Sequence, residues 1–469
     1  MQDFRTRASE WLRAHAEDMA EEIRAFARIR SVAREDLGTD GAPYGPECRR
    51  MLDFALNRAG EMGFATRDHE GYCGSATLGD VENAIGIFGH LDVVPEGDQW
   101  IYPPYAATRV GDFLIGRGVS DNKSAVAMGL YLMRMFRELE VPLRHGLRLV
   151  MGCAEEVGMT DIRHFARTCP LPVLSLIPDS MFPANYAQKG SMQGMFDIPL
   201  GGDILEFSGG EVFNMVPPGA TALLSGAAPA NPPEGVEVSD EDGRMRVAAR
   251  GVAAHAARPE AGVSAIHRLA AALLESGALS GESARAMRAL KALSGDIHAE
   301  AAGIASEDPD TGRTTMVVGL ARTEGGLLSF SVDCRLSLNG DGARDAERLQ
   351  LYARNLGLKP RNFRATRPVY MPKDDPRVEA LQRAYFDVTG DPAAPYTTGG
   401  NTYARELENA ITFGISFPGE QPRPDGLPES HGGAHAPDEF LYIPNLIRAA
   451  EVYAHAILSL DQSTLKEGT

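Results

Sequence analysis

The side chains most able to do chemistry in this sequence are histidines and carboxylates set close together at a few points. In Gly89-His90-Leu91-Asp92 an imidazole and a carboxylate stand two residues apart, so in extended chain both point to the same side. Such a pair suits a metal ligand and the group that orients it. A ligating histidine gains basicity and a fixed tautomer when its second ring nitrogen donates to a carboxylate, a role that falls to Asp92. The competing reading of H-x-D is a structural turn at a strand end. In GRGVSDNK (residues 116–123) Asp121 projects from a polar loop between a strand pattern and a helix pattern, and could bridge two cations or merely cap the helix.

In AEEVG (residues 154–158) two carboxylates are adjacent, Glu155 and Glu156, directly after an apolar run. Their mutual repulsion favours a nearby cation; one of them can bind it while the other takes a proton from water, the alternative being a solvated acidic pair. Asp179 follows LSLIP, and His435 stands in HGGAHAPDE (residues 431–439). Together, two histidines and three carboxylates make a ligand set for two metal ions. Mixed imidazole and carboxylate ligation suits zinc, manganese or cobalt, whereas an all-oxygen set would suit magnesium or calcium.

The elements that must position these groups alternate between helix and strand. A helical pattern over 47–60 leads to the apolar run NAIGIFG (83–89), read as a buried strand ending at His90. Helix 124–139, strand 146–153, a helix near 161–168 and strand 173–177 follow. This rhythm predicts an α/β catalytic domain, a mostly parallel sheet with helices on both faces. From about residue 190 the texture changes to alternating strands, Gly/Pro turns and a proline-rich connector at 228–233. The helical pattern 374–386, the Gly-rich segment 398–400 and helix 443–460 read as the way back to the first domain. Boundaries are drawn at 1–190, 191–385 and 386–469, with the middle part an inserted α+β domain.

A chain of 469 residues with 43% hydrophobic and 23% charged residues has ample core for more than one domain. A formal net charge of −18 with no basic stripe argues against a nucleic-acid partner. Residues 1–26 read as one charged amphipathic helix, without an apolar signal-peptide run, and no window reaches the roughly 20 apolar residues that span a bilayer. Five cysteines, odd in number and without any C-x-x-C pair, read as reduced thiols. A soluble cytoplasmic protein is expected.

Six motifs in order, GHLDVVP, GRGVSDNK, AEEVG, IPDS, AHAARP and HAPDE, resemble those of the zinc metallopeptidases that include aminoacylases, carnosinases, succinyl-diaminopimelate desuccinylases and, closest, peptidase V type dipeptidases. The resemblance spans nearly the whole chain. It implies that His90 and Asp179 hold one divalent metal, Glu156 and His435 the other, with Asp121 bridging, Glu155 as general base and Asp92 as the clamp behind His90. His435 is preferred over His431 because Asp438-Glu439 then falls in the family register.

The insertion is similar to the family's lid, and its length resembles the dipeptidase branch, which implies a monomer. Asn214 in FNMVPP, His255 in GVAAHAARP and Arg335 in LLSFSVDCRLSL match positions that bind substrate and polarise its carbonyl, and Gly400 lies in the loop TTGGNTYAR that admits substrate close to backbone. Ser329, Ser331, Asp333 and Arg335 alternate with apolar residues, so a merely solvated face is the competing reading of Arg335. Asn214 reads alternatively as a turn residue and His255 as a structural hydrogen-bonder. Asn401 and Ser124 replace usual glycines, and residues 420–433 read as an insertion. The activity implied is dipeptide hydrolysis. An N-acyl amino acid deacylase or carboxypeptidase on the same site is the first alternative, and a noncatalytic metal-binding scaffold the second.

Overall fold

The computed structural model describes residues 2–226 and 228–463; Met1 and residues 464–469, the ends of the first and last expected domains, lie outside them. The chain forms two compact units, one of residues 1–186, 371–396 and 401–469 and the other of residues 187–370 and 397–400.

In the first unit, helices α1 (Gln2–Ala14), α2 (Ala16–Ala27) and α3 (Gly45–Glu61) precede strands β1 (Ala65–His69), β2 (Cys73–Leu78) and β3 (Ala84–His90). Then come α4 (Lys123–Glu138), β4 (Gly146–Gly152), α5 (Thr160–Thr168), β5 (Leu174–Ile177) and β6 (Ala184–Gln188). After the second unit the chain returns through α6 (Pro376–Thr389), β7 (Ala410–Phe413) and α7 (Ile443–Gln462). The single helix expected over residues 1–26 is interrupted at His15.

The strands lie side by side in the order β1-β2-β4-β3-β5-β7-β6. The pairs β4/β3, β3/β5 and β5/β7 are parallel, and antiparallel strands flank them. Consecutive residues of β3 show why its run is apolar throughout. Phe88 packs edge-to-face on Phe165 of α5, while the neighbouring Gly89 faces Val126 of α4. Helices thus cover both faces, and Ala84, Ile85, Ile87 and Phe88 are wholly buried.

The expected end of the insertion at residue 385 is corrected: α6 belongs entirely to the first unit. Its apolar face packs against α7, so the helix starting at Pro376 is held by the core of the first unit.

The second unit is an antiparallel sheet in the order Val236–Glu241, Arg244–Arg250, Gly219–Leu224, Ile204–Gly209, Ala321–Glu324, Leu327–Leu336, Gly190–Pro199, Lys359–Thr366. Its core joins Phe196, Phe330 and Val332 of the sheet to Ile266 and Leu269 of Ala265–Glu275, Leu290 of Gly281–Gly295 and Leu349 of Gly342–Asn355. All five cysteines are free thiols. Among the described residues no helix is long and apolar enough to cross a membrane.

Close packing at the carboxyl end of β4 gives a direct test. A Cβ on Gly152 would collide with the Tyr403 hydroxyl and the Asp161 carboxylate. Gly152→Ala is therefore expected to destabilise the protein by about 3 kcal/mol, at the upper end of overpacking costs, read as a lower denaturant midpoint at unchanged slope.

Candidate active site

Parallel strands point their carboxyl ends the same way, and three of these ends deliver the candidate ligands. His90 is the last residue of β3, directly paired with Gly152 at the end of β4. The turn leaving β4 carries Glu155 and Glu156, and the chain leaving β5 carries Asp179. Asp121 arrives from the loop before α4, and His435 from the loop before α7.

These side chains meet. His90 Nε2 lies 3.0 Å from Asp121 Oδ1, and His435 Nε2 lies 3.2 Å from Asp121 Oδ2 and 3.0 Å from Glu156 Oε1. One carboxylate thus offers a separate oxygen to each imidazole. Ligand atoms of His90, Asp121 and Glu156 lie within 4.8 Å of one another, as do those of His90, Glu155 and Asp179. Among the described residues no lysine or arginine forms an ion pair with these four carboxylates. Imidazoles and carboxylates packed together without a lysine or arginine among them are a donor set that fits divalent metal ions.

Protons hold the cluster together in this form. Burial disfavours a charged His90, but the nearby carboxylates of Asp121 and Asp92 outweigh it and hold the imidazole well above its ordinary pKa. Hydrogen bonds to Asp121 and Glu156 push His435 up to about 10. Burial would raise Asp121, yet its two histidines pull it below the usual carboxylate range. Burial, then the charge of Asp121, pushes Asp179 up to about 7. Burial and the charge of Asp179 lift Glu155 well above an ordinary glutamate.

Asp92 departs in detail from its expected role. His90 Nδ1 donates to the Asp92 carbonyl oxygen at 2.9 Å, while the carboxylate Oδ1 is 3.5 Å away. That carboxylate instead accepts the N–H groups of Glu155 at 3.2 Å and Glu156 at 3.1 Å. The reason is local: the turn after β4 turns two unpaired N–H groups toward a wholly buried carboxylate that must be satisfied. Asp92 therefore orients three groups through two different sets of atoms.

Several supporting residues carried no signal as isolated letters. Glu439 accepts the N–H groups of Gly118 (3.0 Å), Ser120 (2.8 Å) and Asp121 (2.9 Å) and pairs with Arg117 at 2.9 Å, fixing the Asp121 loop from below. Asp161 accepts the N–H groups of Cys153 (2.6 Å) and Ala154 (2.9 Å) and the Tyr403 hydroxyl. His431 is engaged by Asp438 at 2.6 Å, away from the cluster that His435 joins. A carboxylate register with the motif, as in HAPDE, was the only hint available for Glu439.

In the second unit, Asn214 and His255 come together because Met215–Val216 pairs with Ala254–His255, and the Asn214 carbonyl accepts the Ala256 N–H at 2.9 Å. Both residues are exposed. His255 Nδ1 accepts the Ala257 N–H at 3.1 Å, which places the ring proton on Nε2, and burial together with the nearby Arg335 charge lowers its pKa. The Ala256 carbonyl in turn accepts Thr315 Oγ1 at 2.8 Å, and Thr315 is paired with Arg335.

The solvated reading of the Arg335 face is overturned, since Asp333 is 0% and Arg335 5% exposed. Asp333 grips Arg335 at Nε (2.7 Å) and Nη2 (2.9 Å), and the Gly399 carbonyl takes Nη1 at 2.9 Å. Gly400 is exposed, its N–H donating to Thr398 Oγ1 at 3.1 Å.

With this geometry in view, residues 86–459 match the model of "Peptidase family M20/M25/M40". The chain belongs to this family. It is a peptidase in which candidate metal-binding residues converge as described. "Putative dipeptidase YtjP" of Bacillus subtilis (strain 168) is 28% identical over 468 residues, covering 95% of this chain and 97% of that protein. A "Putative dipeptidase" of Staphylococcus epidermidis is 26% identical and covers 94% and 97%. Human carnosine dipeptidase 1 has the same fold, with a TM-score of 0.58 at 14% identity over 98% of this chain and 100% of that one. The Saccharomyces cerevisiae di-peptidase Dug1p superposes with a TM-score of 0.55 at 12% identity, covering 98% and 99%.

Two outcomes follow from the cluster. A ligating imidazole must be unprotonated, and the carboxylates around the candidate ligands His90 and His435 hold both imidazoles above their ordinary pKa. Metal uptake is therefore expected to release protons and to tighten as pH rises from 6 to 8, measured calorimetrically in buffers of different ionisation enthalpy. Glu439→Gln removes the charge that faces three N–H groups and Arg117, and should weaken metal binding about 10–100-fold, read by chelator competition.

Proposed function

We propose that this peptidase is a dinuclear metallodipeptidase, with zinc as the first choice of metal and manganese or cobalt as substitutes. The observation that carries the reading is the Asp121 carboxylate, whose oxygens reach His90 and His435 separately. In this reading Asp121 would be shared by the two ions, with His90 and Asp179 holding one and Glu156 and His435 the other. Bound there, divalent metals supply a lowered water pKa and a polarised amide carbonyl.

The chain's own residues divide the remaining work. Glu155, backed by the N–H bond to Asp92, takes the proton from the attacking water and returns it to the leaving amine. His255, neutral and with its proton on Nε2, is a hydrogen-bond donor suited to a carbonyl oxygen as negative charge develops there. Arg335 spends three of its five N–H donors on Asp333 and Gly399 and keeps two for a substrate carboxylate, with Asn214 as its partner in recognition and Gly400 leaving the backbone open.

Dipeptides are preferred to N-acyl amino acids as substrates because relatives matched over nearly their whole length bear dipeptidase names. The long insertion supports a monomer, and the reduced thiols fit a cytoplasmic location.

Chelated protein assayed before and after Zn²⁺ or Mn²⁺ tests the reading: metal-restored cleavage of dipeptides is expected, while restored cleavage of N-acetyl or N-succinyl amino acids alone would make it a deacylase. Glu155→Ala is expected to keep its metal yet lose at least about a hundredfold in kcat. Activity within a few-fold of wild type would remove Glu155 from the base role.

A further inference from the structure

The residue after Asp121 does not do the job its position offers. Asn122 is the N-cap of α4, where an asparagine side chain ordinarily accepts an N–H of the first helical turn, yet it makes no capping hydrogen bond. Its Oδ1 accepts the main-chain N–H of His90 at 3.2 Å. Its Nδ2 donates to the Pro178 carbonyl at 2.7 Å and reaches Asp179 Oδ1 at 3.4 Å. One amide thus ties the end of β3 to the chain leaving β5, and it does so at 2% exposure, where water cannot substitute for a lost partner.

The surrounding packing is shaped for this contact. A Cβ on Gly89 would lie 2.9 Å from Asn122 Oδ1 and 3.0 Å from Val126 Cγ2, so the missing side chain at 89 is what lets the amide reach the strand. An isosteric carboxylate would keep the acceptor for His90 but present no proton to the Pro178 carbonyl or to Asp179. Among the described residues Asn122 makes no side-chain bond to Glu156 or His435. Glu439 differs, since it grips the backbone of Asp121, the carboxylate read as common to both ions.

We propose that Asn122 is a positioning residue that sets the separation of His90 and Asp179, and so controls one of the two metal ions selectively. The inference rests on the dinuclear reading above. It divides the supports of the site by ion: Asn122 serves one, Glu439 serves both.

The test uses the full-length chain stripped of metal and titrated with Zn²⁺ against a chromophoric chelator, so that affinity is read without turnover. Wild type should take up two ions. Asn122→Ala and Asn122→Asp should each weaken one ion about 10–100-fold and leave the other within about twofold, whereas Glu439→Gln weakens both. The Asp variant keeps the shape and the His90 contact, and decides the matter if the Ala variant does not fold. Two ions unchanged, or both weakened alike, in the Asn122 variants overturns the role of Asn122 alone. A wild-type chain that takes up fewer than two ions overturns the dinuclear reading, and the inference with it.

Discussion

Carboxylates that are crowded together away from water must be compensated, and the first unit is arranged around that constraint. Asp121, Glu155, Glu156 and Asp179 converge on two histidines with no lysine or arginine pairing to them among the described residues. In the metal-free form compensation comes from protons: His90 and His435 are held charged, and Asp179 and Glu155 are pushed toward their neutral forms. Divalent cations placed among these carboxylates would supply the same compensation, but only by displacing the protons that the histidines hold.

The parallel core of the sheet is what makes this crowding possible. Strands β4, β3 and β5 end at one edge, so residues 152–156, 90 and 177–179 become neighbours without any being close in sequence. The turns that leave those ends expose N–H groups, and buried carboxylates collect them: Asp92 at Glu155 and Glu156, Asp161 at Cys153 and Ala154, Glu439 at Gly118 to Asp121. The candidate ligands Asp121 and Glu156, and Glu155 beside them, are thereby aimed by their main chain.

Much of this was legible in the chain. The uninterrupted apolar run of β3 announced a strand covered on both faces, and the polar residues at its end announced a site. Asp92 shows the limit. Its two-residue spacing from His90 placed it correctly, but which of its atoms meets the ring depended on the N–H groups of a turn some sixty positions away. Arg335 shows another limit, because period-two alternation cannot tell a solvated polar face from a buried one. Here the neighbouring strands and Gly399 enclose it, and Asp333 neutralises it. Helix α6 was drawn partly into the insertion because a helical period carries no information on which core it will pack against.

By itself, then, the sequence determined the alternating helices and strands of the first unit, the ligand candidates and their order, because side-chain period and motif spacing are local properties of the chain. Tertiary structure alone decided the partners: which oxygen of Asp121 faces which histidine, which carboxylate engages His431 while His435 joins the cluster, and how Asn122 forsakes its helix for the ends of two strands. These depend on separations of a few ångströms between residues 31 positions apart for His90 and Asp121 and 279 apart for His435 and Glu156, and such distances are set only when the core has packed.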